Sequence, residues 1–244
     1  MSETYKVIYD QEALEDFIDW LPDLQLDERF YVSLQVRQKY SSKLVECGEL
    51  SQFTASKSNL LSKIKQLECP LGSYLTVDQE VVPQDSLVLY ITPNPRSMER
   101  ATYTGIALLM ESLQQKYYEG ELIFNPDMMV LKGIHKTEGR FAFAHFDIDK
   151  SIGDPQIRKQ EADDLWGLVV GVVGRKATTI IETRGGWHIL VNVSKVEAKS
   201  SDWYERLSEK LDYDGIGDIK MPVVGCCQGG YVPRFYKRAI NSVG

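Results

Sequence analysis

The sequence predicts a mixed α/β (α+β) fold in which helices pack on a β-sheet. Its 244 residues are 43% hydrophobic, enough to bury a core without disulfides or a structural metal. From residue 140 onward, β-rich runs alternate with runs whose apolar residues have helical spacing, which is typical of a sheet covered by helices. The longest nearly apolar run, Leu165 to Gly174, covers about half of the ~20 residues that a membrane span needs.

The N-terminal part, residues 1–83, predicts a mixed α/β segment packed on or beside a main core of residues 84–244. Apolar residues at helical spacing predict helices, and β-rich runs that end near proline or glycine predict strands. The expected elements before residue 93 are a strand at Tyr5–Tyr9, helices at Glu12–Leu21 and Ser56–Leu67, and a strand at Ser86–Thr92.

The same patterns predict a more regular order of elements in the rest of the chain. A loop is expected at Gly120–Gly139, which contains a proline and several glycines. The expected helices are Ser97–Tyr118, Gln156–Val173 and Asp202–Leu211, and the expected strands are Arg140–Ile148, Thr178–Thr183, Trp187–Val193, Met221–Val224 and Tyr231–Phe235.

The chain is acidic, with a net charge of −7, and it contains only three histidines. This balance disfavours binding to nucleic acid through bulk charge, because that affinity comes from Lys and Arg side chains that displace counterions. The net charge does not exclude a local basic groove that binds nucleic acid. The four cysteines lack the spacing of a zinc site or a disulfide scaffold, which favours a reducing compartment. With neither a signal-like N-terminus nor an apolar span, we expect a cytoplasmic location, in the host cell if the protein is viral, and no membrane partner.

The sharpest chemical feature is the run Phe143–Asp149, in which apolar and polar residues alternate along a predicted strand. Side chains two apart on a strand share a face, so we expect His145, Asp147 and Asp149 to project together from an exposed face of the sheet. Two carboxylates about 7 Å apart along a strand suit Mg²⁺ or Mn²⁺. The alternative interpretation is an ordinary solvated strand that ends in acidic residues.

A second feature is the predicted hairpin Glu182–Val191, whose turn contains Arg184, Gly185 and Gly186. The two glycines are expected to supply the positive φ angles and the close approach of a tight turn. His188 then lies at the start of the second strand. Arg184 and the exposed turn amides are suited to hold an anionic ligand. A hairpin with one polar edge residue is the alternative.

The third feature combines an acidic loop with a glycine-rich turn. The loop Asp212–Asp218 contains three more carboxylates, and the run Pro222–Phe235 contains the turn around Gln228. Both segments also fit ordinary solvated loops.

Together these features resemble the catalytic region of the archaeo-eukaryotic primase superfamily, the primase-polymerases. The family's hhhDhD strand is matched by Ala144–Asp149, its small-x-His hairpin by Gly186–His188, and its hydrophobic-plus-acid motif by Asp214 or Asp218. The resemblance covers roughly residues 84–238. The last part of this stretch is similar to phage and plasmid members of the family. It implies an RRM-like palm, with the N-terminal segment as an addition.

The resemblance implies nucleotidyl transfer, in which a 3′-hydroxyl attacks the α-phosphorus of an NTP or a dNTP. It implies that Asp147, Asp149 and either Asp214 or Asp218 bind the Mg²⁺ or Mn²⁺ ions that assist this attack. His188 is then a catalytic residue that contacts the triphosphate and does not act as a general base. The implied nucleotide-binding residues are Arg184, Gly185, Gly186, His188 and Gln228.

The partner that the resemblance implies is a single-stranded DNA template, together with replication proteins such as a replicative helicase, in a phage or a mobile element. Basic clusters with aromatic neighbours suit a single strand, through phosphate contacts and base stacking. A further cluster of this kind, Arg37–Tyr40, lies in the N-terminal segment. The residues expected to bind nucleic acid are Arg234, Lys237, Arg238, Lys136 and Arg140.

Two other functions fit parts of the pattern. A metal-dependent nuclease also uses clustered carboxylates and a histidine for phosphodiester cleavage. A non-catalytic RRM-like module that binds nucleic acid is the other alternative, but it predicts exposed aromatic residues on the central strands. The strand in this chain presents His145, Asp147 and Asp149 instead, and its carboxylates repel phosphate unless a metal is bound.

Overall fold

The computed structural model describes residues 3–41, 48–76, 78–119, 131–134, 136–137, 139–149, 154–198, 201–213 and 220–238. In these residues, α-helices pack on antiparallel sheets, which confirms the mixed α/β (α+β) class. The helices are α1 (Gln11–Trp20), α2 (Lys57–Lys65), α3 (Met98–Glu119), α4 (Pro155–Val173) and α5 (Trp203–Leu211). The strands are β1 (Glu28–Val36), β2 (Gly48–Ala55), β3 (Leu87–Ile91), β4 (Arg96–Ser97), β5 (Phe143–Asp149), β6 (Thr178–Glu182), β7 (Gly186–Asn192), β8 (Met221–Pro222) and β9 (Arg234–Arg238).

The first sheet has the strand order β2-β1-β3-β8, and β4 pairs with β1 beside it. Its strands come from both sides of residue 83, since β1 pairs with β3 over Val32–Val36 and Leu87–Ile91. The alternate residues Phe30, Val32 and Leu34 of β1 are fully buried in the core that this sheet forms with α1 and α2. This alternation is the period-2 pattern of a strand with one apolar face.

The second sheet has the strand order β5-β7-β6-β9, and each neighbouring pair is antiparallel. Strands β5 and β6 are therefore parallel to each other, with β7 between them, and α4 connects them. This is a split β-α-β unit. One face of the sheet packs on α4 and α5: its residues Phe146, Ile180 and Ile189 belong to a second hydrophobic core together with Val169 of α4 and Leu207 of α5.

The opposite face of the second sheet is buried at one end against the first core. Phe143, Ile181 and Leu190 belong to that core, and the ring of Trp20 in α1 stacks on Phe143 with 4.8 Å between the ring centroids. Because side chains two apart share a face, His145 follows Phe143 along this face toward the other end of β5. The apolar packing thus fixes the face from which the polar residues of β5 project.

Most predicted elements are confirmed to within a few residues, but two expectations are wrong and two long strands were not predicted. Tyr5–Tyr9 is not a strand of either sheet, and its backbone makes isolated hydrogen bonds instead. Tyr5 N donates to the Cys69 carbonyl at 2.8 Å, and Val7 N donates to a Glu68 carboxylate oxygen at 2.9 Å. Strands β1 and β2 were not expected, and residues 131–134 are helical where a loop was predicted. Residues 120–130 of that predicted loop lie outside the described part of the chain.

No helix among the described residues combines the length and the apolar character that crossing a membrane requires.

Candidate functional site

The pairing of β5 with β7 brings the first two sequence motifs together. In the antiparallel register, Asp147 lies opposite His188 and Asp149 lies opposite Gly186. Opposite residues of an antiparallel pair project from the same face, with Cβ atoms about 5 Å apart. The carboxylates and the imidazole therefore share one face of the second sheet, as the alternation along the strand predicts.

This face changes from buried to open along β5. His145 and His188 are each only 5% exposed, the Asp147 side chain is 36% exposed, and Asp149 is exposed. The expectation that the whole face is open is therefore wrong at His145. The reason is that this histidine lies next to Phe143, where the face is covered by the first core.

His188 is hydrogen-bonded at one ring nitrogen, and its other ring nitrogen faces Asp147. His145 Nε2 and His188 Nδ1 lie 2.6 Å apart, a hydrogen-bond distance, and His188 Nε2 lies 3.5 Å from Asp147 Oδ1. Burial lowers the pKa of His188 well below its usual range, and the charges of His145 and Lys39 lower it further. The imidazole is therefore neutral at neutral pH, so its contact with Asp147 is not an ion pair.

The Asp147 carboxyl is in an environment that disfavours its charge. Burial raises its pKa to about 6, the neighbouring Asp149 carboxylate contributes to the rise, and the Lys39 ammonium opposes it. A carboxylate that is partly desolvated next to a second carboxylate gains strongly from a bound cation. Asp147 and Asp149 are therefore the two described side chains of this face that could hold a cation.

The hairpin turn between β6 and β7 is fixed by the glycine-rich turn that follows β8. The backbone N–H of Arg184 donates to Gln228 Oε1 at 2.8 Å, and the Arg184 guanidinium donates to the Gly229 carbonyl. At Gly185 a Cβ would lie 3.4 Å from Asp149 Oδ1, so the turn passes close to that carboxylate. The expected positive φ is absent at Gly185 and occurs at Gly186, where φ is 155°. Proximity to Asp149, more than turn geometry, distinguishes Gly185.

The N-terminal half of the chain contributes a further wall of the site. The Tyr40 ring centroid lies 4.4 Å from Arg184 Cζ and 5.3 Å from Lys39 Nζ, and Gln228 Nε2 lies 3.5 Å from the Tyr40 hydroxyl. The sequence singled out Arg37–Tyr40 as a basic and aromatic cluster, but nothing in the local pattern connected it with Asp147. Long-range packing makes that connection.

Tyr90 of β3 lies near the two carboxylates of the site. Burial raises the pKa of Tyr90 to about 12. The Arg37 charge opposes this rise, whereas Tyr40, Asp147 and Asp149 add to it. Its phenol is thus within electrostatic range of both carboxylates of the second sheet. No sequence motif marks Tyr90, because it lies in a largely apolar strand.

The donor set of the site fits a metal that arrives with phosphate. Among the described residues, no group of three or more His, Cys, Asp or Glu side chains is arranged to hold a metal ion. Asp214 and Asp218, the two candidates for a third carboxylate, lie outside the described residues. Mg²⁺ is typically bound by one or two carboxylates together with substrate phosphates and water. Asp147 and Asp149 supply that number of hard oxygen donors.

Four of the five basic residues expected to bind nucleic acid form ion pairs within the protein. Lys136 is exposed on the helical turn before β5. The pairs are Arg140 with Glu28 at 2.9 Å, Arg234 with Glu182 at 2.6 Å, Arg238 with Asp16 at 2.6 Å, and Lys237 with Asp163. These side chains thus join separate elements, and their role in binding nucleic acid stays a prediction.

A pocket of about 570 Å³ lies elsewhere, at the start of α3. Its lining includes Asp27, Glu28, Arg100, Tyr103 and Arg140. None of the candidate catalytic or nucleotide-binding residues contributes to it. Glu28 lies on β1, and Arg100 and Tyr103 lie on α3, so the pocket is a polar cleft between these two elements and is separate from the acidic site.

No protein-family model, no curated protein and no solved structure matches this chain. The geometry of the site is therefore the basis of the functional argument.

Proposed function

We propose that this protein is a nucleotidyltransferase of the primase-polymerase type, which makes or extends primers on single-stranded DNA. The observation that carries the proposal is the β5–β7 register, which sets Asp147 opposite His188 and Asp149 opposite Gly186. Two carboxylates, a neutral imidazole and a glycine turn on one face are the groups needed to handle a metal-bound triphosphate. The order of these motifs along the chain supports the same family.

The acidic pair provides the metal ligands of this proposal. Asp147 and Asp149 would hold Mg²⁺ or Mn²⁺ through hard carboxylate oxygens, with Asp214 or Asp218 as the proposed third acid. When bound, such an ion lowers the pKa of an attacking 3′-hydroxyl and neutralises charge on the leaving pyrophosphate. In the free protein, the raised pKa of Asp147 means that this carboxyl must lose its proton before it can bind an ion.

His188 is suited to bind phosphate as a neutral hydrogen-bond donor. Its Nδ1 is engaged by His145, so Nε2, on the Asp147 side, is the nitrogen available to a ligand. When His145 donates to Nδ1, His188 carries its proton on Nε2 and can donate to a phosphate oxygen. Its lowered pKa keeps it from being a cation, and an imidazole of low pKa that already carries its proton on Nε2 is poorly suited to abstract another proton.

Arg184 and Gln228 form the nucleotide-binding part of the proposal. Gln228 accepts from the Arg184 backbone and so orders the hairpin turn, while the guanidinium of Arg184 is held by the Gly229 carbonyl and the Tyr40 ring. A preorganised guanidinium is the side chain best suited to bind phosphate. Gly185 lets the turn pass close to the Asp149 carboxylate, and Gly186 lies opposite Asp149 in the β5–β7 register.

The architecture supports an RRM-like palm. The elements β5, α4, β6 and β7, with α5 following, have the β-α-β-β-α order of the split β-α-β folds, and β7 lies between the two parallel strands. The fourth strand, β9, lies beside β6, whereas the last strand of an RRM lies beside its first strand, so the likeness to that fold extends over the first three strands of this sheet. The acidic face of β5 argues against a plain RNA- or DNA-binding module, since its two carboxylates would repel phosphate.

We place this activity in the replication of a phage or a mobile element, in the cytoplasm of the host cell. Single-stranded DNA would be the template, and a replicative helicase is the kind of partner that we propose. This setting follows from the family resemblance.

The test of the proposal is one assay with two readouts. Labelled single-stranded DNA, with and without an annealed primer, is incubated with Mn²⁺ in the presence and absence of nucleotides. The proposal predicts longer products that form only when nucleotides are present. Shortening that occurs without nucleotides would assign the site to a nuclease, and binding with neither change would assign the chain to a non-catalytic module.

A further inference from the structure

Two cations, Lys39 and Arg184, lie next to the acidic site. Among the described residues, neither Lys39 nor Arg184 forms an ion pair with a carboxylate, whereas Arg140, Arg234 and Arg238 each do. Both of the unpaired cations come from turns, one from each half of the chain. Two positive charges that the fold holds on one aromatic ring, with no direct ion pair to a carboxylate, are suited to bind an anion.

The two cations are held against one aromatic ring. The Lys39 ammonium lies 5.3 Å and the Arg184 guanidinium 4.4 Å from the centroid of the Tyr40 ring. Cation–π attraction at these distances stabilises each cation and offsets part of their mutual repulsion. The ring thus brings two positive charges from distant parts of the sequence to one place.

The glycine-rich turn fixes the position of that ring. Gly229 has φ of 58°, and a Cβ at this residue would lie 2.4 Å from the Tyr40 ring and 2.6 Å from Arg184 Nη1. Gln228 Nε2 also approaches the Tyr40 hydroxyl at 3.5 Å. The close packing allows no side chain at Gly229, so the turn, the ring and the guanidinium form a built surface.

This surface lies beside the residues that would handle the reacting phosphate. The charge of Lys39 acts on both Asp147 and His188, and it lowers the pKa of each. Arg184 belongs to the same hairpin as His188, and its neighbour Gly185 passes close to Asp149. A ligand that contacts both His188 and this surface, and that is anionic at each end, carries several negative charges close together.

We infer that Lys39 and Arg184, held on the Tyr40 ring, bind the outer phosphates of a nucleoside triphosphate, so that the N-terminal segment completes the nucleotide site. The inference rests on the proposed function and names the ligand of this part of the site. A triphosphate concentrates its charge at one point, whereas the phosphates of a DNA strand are distributed along its length. Two cations on a single ring match the concentrated charge better.

The test is equilibrium binding of ATP and dATP to the full-length protein with Mn²⁺ and without template. We expect Lys39→Ala to weaken nucleotide affinity about tenfold, which is the order of one charge-assisted hydrogen bond, and Lys39→Arg to restore most of it. Lys6→Ala is the matched control, because Lys6 is an exposed lysine whose ammonium lies 4.9 Å from the Tyr9 ring centroid. This control should change affinity less than about twofold.

Single-stranded DNA affinity is measured for the same variants. The inference is overturned if Lys39→Ala leaves nucleotide affinity unchanged, or if it weakens only DNA binding, which would make this surface a template contact. It is also overturned if the wild-type protein binds neither nucleotide. Failure of the proposed function is a separate result: nucleotide binding that depends on Lys39, with no primer made or extended, would leave the subsite standing without the polymerase.

Discussion

His145 Nε2 and His188 Nδ1 lie 2.6 Å apart in the buried part of the second sheet, with the two rings tilted by 39°. One nitrogen must donate and the other accept, so the two imidazoles have linked tautomers. When His145 donates, the proton of His188 lies on Nε2, the nitrogen that faces Asp147. His145 is thus a positioning residue for the side chain that we propose to contact the triphosphate.

Replacing His145 with alanine should therefore affect both stability and nucleotide binding. The substitution leaves a buried Nδ1 of His188 without its partner, and we expect a loss of about 2 kcal/mol in the free energy of unfolding. The KM for nucleotide should rise several-fold more than kcat falls. Urea unfolding and steady-state incorporation measure these effects. His145→Gln, which keeps a donor, should restore part of the KM, and a KM unchanged in His145→Ala would contradict the positioning role.

The raised pKa of Asp147 predicts that its charge destabilises the fold. The folded value of about 6 exceeds the ordinary value of about 4, so the folded protein binds more protons between these pH values. Stability then falls as the pH rises through this range. Because the side chain is 36% exposed, solvent screens the cost, and Asp147→Asn should stabilise the protein by about 1 kcal/mol at pH 7.5.

The check is urea unfolding of the wild type and Asp147→Asn at about pH 4 and about pH 7.5. The gain from the substitution should be present at the higher pH and small at the lower one. An equal gain at both pH values would show that the carboxylate charge is not its cause.

Gly229 and Gly230 provide a matched pair of substitutions. Both have positive φ, of 58° and 77°, but a Cβ would collide with the Tyr40 ring only at Gly229 and would meet nothing within 4 Å at Gly230. Gly230→Ala should cost about 1 kcal/mol of backbone strain. Gly229→Ala should cost about 1–3 kcal/mol more through overpacking, and it should weaken nucleotide binding. Thermal unfolding and nucleotide titration of both variants test this, and equal effects would contradict the contact.

The two arginines on Glu182 should contribute unequally to stability. Arg158 Nε and Arg234 Nε lie 2.9 Å and 2.6 Å from its two carboxylate oxygens, but their side chains are 13% and 70% exposed. Arg158→Ala should destabilise the protein by about 3 kcal/mol, because it removes the buried partner of a buried charge. Arg234→Ala should cost less than about 1 kcal/mol. Denaturant unfolding measures both, and comparable losses would contradict this assignment.

The acidic site was predictable where its signal is local. The alternation in Phe143–Asp149 places His145, Asp147 and Asp149 on one face from period 2 alone, and the structure has this arrangement. The hairpin that carries His188 was equally clear from its glycines. Strand β1 also has an alternating pattern, in Phe30 to Val36, but it was not among the predicted strands. Strand β2 is a partly exposed edge strand with a weaker pattern.

The remaining parts of the site depend on contacts between distant segments. Tyr40 reaches Arg184 and Gln228 only because β1 and β3 pair and the turn after β8 packs on them. The ion pairs of Arg234 and Arg238 are similar, since their partners Glu182 and Asp16 lie on other elements. A cluster of basic residues in a sequence does not show which carboxylates the fold will place beside it.

The measurement that tests the central claim most directly is nucleotide incorporation on a primed single-stranded template with Mn²⁺, by Asp147→Asn and Asp149→Asn. Asp164→Asn is the control, because Asp164 is an exposed carboxylate on α4, away from the site. We expect each site variant to remain folded and to lose at least about 1,000-fold in rate, while the control retains wild-type activity. Robust incorporation by either site variant would contradict the assignment of these two carboxylates, and with it the proposed active site.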